Sequence, residues 1–79
     1  MVTTLTQDPH LVRDEREKVL EVAIGREVRT FRRRQEVTVA ELAGLTGLSI
    51  GMLSKIENGN TSPSLTTLQT LANALSMPL

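Results

Sequence analysis

Four positions in the middle of the chain constrain its fold more than any others: Ala43, Gly47, Leu53 and Ile56. A small residue, a glycine four places on, and branched apolar residues at the tenth and thirteenth places describe two short helices crossing closely around a tight turn. A larger side chain than Ala43 would push such helices apart. Gly47 falls where the turn needs a positive φ that other residues resist. Leu42, Ala43, Leu45 and Leu48 supply further inward positions. The flanking start signals agree. Thr38-Val39-Ala40-Glu41 fits a capping box, in which the Thr hydroxyl accepts from the backbone N–H three residues on and the Glu reaches back. Ser49 caps the second helix, which runs to Asn58, and Gly59 is placed to end it in a left-handed conformation. The pattern predicts a helix-turn-helix over 39–58, with a generic helical hairpin as the alternative.

The rest of the chain is also helical in period. Asp8-Pro9 starts a helix, with Pro at the first position where its missing N–H costs nothing. The pattern continues to about Gln35, as one long helix or two abutting ones. Leu20, Ile24, Val28 and Phe31 mark a buried stripe. Residues 13–18 are all charged, leaving only Val12 and Val19 to bury, and an interior Gly25 costs about 1 kcal/mol relative to Ala. Asn60 to Pro63 form a loop, and Ser64 caps a last helix with Leu65, Leu68, Leu71, Ala72 and Leu75 on its apolar side. The expected fold is all-α, a compact bundle of four to five short helices with an N-terminal helical extension. Residues 1–18 form a flexible or loosely packed extension, its first seven residues disordered, and residues 19–79 the domain proper.

Composition narrows the chemistry. Among 79 residues there is no Cys, one His and a single aromatic, Phe31. That leaves no disulfide, no thiolate or multi-His metal site, and no aromatic platform for stacking single strands. No nucleophile–base pair or Gly-rich phosphate loop points to an enzyme, and no cofactor is implied. His10 reads as an exposed first-turn residue. No apolar run approaches the ~20 residues of a membrane span, and the start lacks a signal peptide, so a cytoplasmic protein is expected. Nine basic and nine acidic residues give zero net charge. The total hides a segregation: residues 25–36 carry five basic and two acidic groups, against three and five in residues 1–24 and one and two in residues 37–79. Modest non-specific affinity for nucleic acid follows, with geometry carrying more than bulk charge.

The stretch from Ala23 to Leu79 resembles the Cro/CI-like, or XRE, helix-turn-helix family of phage repressors and bacterial regulators. The matching text is Gly-Arg-Glu-Val-Arg-Thr-Phe-Arg from 25, Val-Thr-Val-Ala-Glu-Leu-Ala from 37, and Gly-Leu-Ser-Ile-Gly-Met-Leu-Ser-Lys-Ile-Glu-Asn-Gly from 47. It closes with Ser-Pro-Ser-Leu-Thr-Thr-Leu-Gln-Thr-Leu-Ala-Asn-Ala-Leu from 62, wording most like regulators with a C-terminal cupin effector domain. The resemblance implies a lambda-repressor-like bundle whose third helix, residues 50–58, lies in the DNA major groove. An effector ligand would enter only through a C-terminal domain outside these residues, and the end at Leu79 reads as the close of a first domain.

Carried onto this sequence, Ser49, Ile50, Gly51 and Lys55 match positions that read base edges. Lys55 can donate to guanine O6 and N7, Ile50 can meet a thymine methyl, and Gly51 permits close approach. Phage repressors often place Gln where Ile50 and Gly51 stand, which shifts weight from bidentate adenine readout to apolar contact and DNA shape. Phosphate contacts fall to the backbone N–H groups near Val39 and to Ser54, Asn58, Asn60 and Thr61; ordinary turn chemistry is the alternative for the last three. Met52 is assigned to the core. The family pairs an Arg with the Glu of its Ile-Glu-x-Gly motif, which here gives Arg32 and Glu57 a structural role beside Ala43 and Gly47. Arg26, Arg29, Arg33 and Arg34 read as a solvated face pairing locally with Glu27 and Glu36. The leading expectation is sequence-specific binding of a double-stranded operator by a homodimeric, nucleoid-associated transcriptional regulator. The competing one is an antitoxin or protein-interaction module, favoured if the N-terminal segment exposes an apolar face.

Overall fold

In the computed structural model, which describes the backbone of residues 9–77 and the side chains of residues 15–77, the fold is all-α. Among the described residues the helices are α1 (Pro9–Arg34), α2 (Val39–Thr46), α3 (Ile50–Glu57) and α4 (Leu65–Leu75). Asp8, the expected cap of α1, the segment before it, and Pro78 and Leu79 lie outside the described residues, as do the side chains of His10 and Val12.

Of the two arrangements left open for the first helical segment, the single one is adopted: α1 runs 26 residues without a break. Gly25 explains how. It is buried against the end of α3, where an added Cβ would overlap the Ile56 carbonyl oxygen and lie 2.8 Å from that of Glu57. The glycine marks a close helix–helix approach, so its low helix propensity is offset by packing rather than expressed as a kink. α1 ends in a Schellman turn, with the Glu36 N–H donating to the Arg33 carbonyl (3.0 Å) and the Val37 N–H to that of Arg32 (3.1 Å). Glu36 takes the left-handed position of that turn, at φ 56°.

Caps set the shorter helices. The Thr38 hydroxyl accepts from the Glu41 N–H at 3.0 Å, and the Glu41 carboxylate accepts from the Thr38 N–H at 2.9 Å. The hydrogen bond from the Thr38 backbone N–H, followed by a contribution from the Thr38 side chain, holds the Glu41 carboxyl below its ordinary pKa. Gly47 ends α2 at φ 77°, its N–H donating to the Ala43 carbonyl, and Ser49 then caps α3 by accepting from the Met52 N–H. Ser64 caps α4 in the same way, through the Thr67 N–H.

The core draws on every helix: Val28 from α1, Leu42 from α2, Leu53 and Ile56 from α3, and Leu71 and Leu75 from α4 are all buried. Ile24, Phe31, Ala43 and Leu48 pack partly against them. Five apolar residues expected inside are not. Val19, Leu20, Leu45, Leu65 and Met52 are 69, 59, 65, 71 and 40% exposed. The reasons are local. Among the described residues, the core contacts of α1 begin at Ile24, one turn past Leu20. Leu65 is the first residue of α4, ahead of its packed turns, and Leu45 and Met52 lie at the margins of eight-residue helices whose inner faces are filled by Leu42, Leu53 and Ile56. Among the described residues no single helix is long and apolar enough to cross a membrane.

Candidate nucleic-acid interface

The turn between α2 and α3 bends the chain by 112°. That falls within the range of about 90–120° that lets one helix brace while the next projects outward. α3 is accordingly two-faced. Leu53, Ile56 and Glu57 are buried, whereas Ile50, Gly51, Ser54, Lys55 and Asn58 are exposed, with Ile50 at 54%. Ser49 is exposed at the helix start, where its hydroxyl is engaged as the cap. Met52 borders this outer face instead of joining the core. An added Cβ at Gly51 would find its nearest neighbour, the Ser49 hydroxyl, at 4.0 Å, so the space over the helix there is open on the protein side.

The second set of candidates surrounds this face. Val39 is half-buried at the first position of α2, where the first-turn N–H groups have no intrahelical partners. Asn60 is exposed, its backbone N–H bonded to the Lys55 carbonyl at 2.9 Å, and Thr61 is half-buried beside it. Asn58 is exposed, but its side-chain oxygen accepts from Arg29 at 2.7 Å. Arg29 therefore departs from the locally paired surface residue expected from its neighbours. It reaches across to α3, donating also to Glu57 at 3.4 Å. Helical spacing within α1 carries no sign of this, because the partner lies 28 residues away.

Arg32 and Glu57 fix the angle at which α3 is held. The Arg32 Nε donates to one Glu57 carboxylate oxygen at 2.6 Å and its Nη2 to the other at 2.9 Å, while Nη1 donates to the Val37 carbonyl at 3.0 Å. The fork binds both carboxylate oxygens, a geometry lysine cannot reproduce. The Glu57 side chain is only 3% exposed. Burial pushes its carboxyl up, but the hydrogen bonds and charges of Arg32, then Arg29, outweigh burial and hold it below the ordinary value. The hydrogen bond to Glu57 likewise raises Arg32, against a smaller opposing effect of burial.

A braced second helix, an outward third helix and a buried clamp tying the third to the first define a helix-turn-helix DNA-binding domain. A family model described as a helix-turn-helix domain matches residues 23–79, and the chain belongs to that family. No curated protein and no solved structure matches it.

Proposed function

We propose that the chain is the reading head of a transcriptional regulator of the Cro/CI type, binding a specific double-stranded operator as a homodimer with α3 in the major groove. The observation that carries this reading is the exposed face of α3, presented at 112° to α2 and containing Ile50, Gly51, Ser54 and Lys55. Lys55 serves as a hydrogen-bond donor to guanine, and Ile50 makes an apolar contact to a thymine methyl. The first-turn N–H groups near Val39, favoured by the helix dipole, contact phosphate together with Ser54, Asn60 and Thr61. Asn58 keeps its amide N–H groups for the same purpose, steadied by Arg29 on its oxygen. A dimer is part of the reading because one helix in one groove touches too few bases to be selective. The binding of effectors lies with a further, cupin-type domain, following the resemblance of residues 62–75.

Titration of duplex DNA at rising salt tests the reading. Affinity is expected to fall steeply and linearly on logarithmic axes, with a slope of about −0.9 for each phosphate neutralised. Salt-independent association with a protein, and none with duplex DNA, would support an interaction module instead. One observation speaks for a protein contact somewhere on this surface: Val19 and Leu20 on α1 are 69 and 59% exposed.

A further inference from the structure

The outward side of α1 carries a pattern that the DNA reading leaves unused. At about 100° per residue, the side opposite Gly25 and Val28 is centred on Val19 and Ala23. Glu15 and Arg26 lie along one edge of that seam, and Arg16 and Glu27 along the other. All six are exposed. The order of charges is what matters. In an antiparallel helix pair, each edge of one helix faces the same edge of the other. When two copies are centred near residue 21, Val19 of one meets Ala23 of the second. Glu15 then lies beside Arg26 of the second copy, and Arg16 beside its Glu27. The two-fold axis repeats each contact, giving four complementary pairs around an apolar seam.

We propose that this face of α1 is the homodimer interface, joining two copies of the chain through antiparallel α1 helices. The proposal names the contact behind the dimer proposed above, but its test contains no DNA, so either can fail without the other. The segment from Glu15 to Glu27 is short, about 18 Å of helix, which places the contact at the weak end of specific interfaces. Exposed ion pairs add little attraction each, whereas like charges brought face to face are strongly unfavourable. The edges therefore select the partner and its direction more than they hold it.

Sedimentation equilibrium of charge-balanced variants tests the interface, with circular dichroism checking that all remain equally helical. Wild type is expected to dimerise in the micromolar range. The swap Glu15→Arg with Arg16→Glu leaves net charge unchanged but sets like charges against each other on both edges, and should weaken the dimer by about tenfold or more. Adding Arg26→Glu and Glu27→Arg restores every pair and should restore the dimer. A parallel pairing would survive the first swap, because Glu15 would then neighbour Arg16 of the second copy. Survival of the dimer in that variant, failure of the fourfold variant to regain it, or a wild-type chain monomeric to about 1 mM would each overturn the proposal.

Discussion

The two faces of α3 are built on opposite terms. Toward the protein, Leu53 and Ile56 are buried at 0 and 1% exposure, Gly25 of α1 touches the helix backbone, and Arg32 grips Glu57 with two hydrogen bonds. Toward solvent, Ile50, Gly51, Ser54 and Lys55 have few neighbours in their own chain. The inner face fixes position and the outer face is free to vary in chemistry without moving the helix. A DNA-binding domain needs this separation, since base readout tolerates little displacement but must differ between regulators.

Substitutions on the two faces should therefore fail in different assays. The largest loss is expected for Glu57→Ala, which leaves Arg32 without its buried partner and should reduce unfolding free energy by about 3–5 kcal/mol, read from urea denaturation. Acid offers the same test in wild type. Because the folded carboxyl is depressed, its stabilisation is complete above the unfolded pKa of about 4.3 and is lost as pH falls through the lower folded value. Glu57→Gln should flatten that part of the profile while lowering stability at neutral pH. A wild-type profile no steeper than that of the Gln variant below about pH 4 would break the assignment.

Gly25→Ala comes next. Its methyl group would meet backbone atoms, which cannot rotate away, so about 3 kcal/mol is expected even though alanine is the better helix former. A stabilised variant would mean that α1 and α3 are not in close contact there. The smallest effect on folding belongs to the outer face. Lys55→Ala should leave the unfolding free energy from urea denaturation unchanged within about 0.5 kcal/mol. It should relax base preference at one half-site position by about 1–3 kcal/mol, read from binding to a panel of duplex variants. An equal loss on every duplex would make Lys55 a phosphate contact.

What could be read from the sequence divides along the same line. Contacts within one turn of chain were legible: the capping box at Thr38, the left-handed Gly47 and the Ser49 cap each depend on residues no more than four positions apart. Core positions with strict spacing, Leu42, Leu53 and Ile56, were legible for the same reason. Apolar identity alone misled at Leu20, Leu45, Met52 and Leu65, because a short helix has room on its inner face for only a few side chains. Gly25 was read as a helix weakness, since its value depends on Ile56 and Glu57, 31 and 32 residues away. Arg29 escaped for the same reason: its partners on α3 are distant in sequence, and the nearby Glu27 offered a simpler pairing. The Arg32–Glu57 contact was legible only through family resemblance, since no local spacing connects those residues. The outer face of α3 was legible as a surface, but its chemistry toward bases depends on a molecule outside the chain.

Amide chemical shifts followed by NMR during titration with a duplex selected from a random pool test the central claim most directly. The largest changes are expected at the amides of residues 38–40 and 49–55, spreading to Asn58, Asn60 and Thr61, with the buried clamp and α4 little moved. Changes centred on the outward side of α1 or on α4, with the α3 amides unmoved at saturation, would contradict that claim.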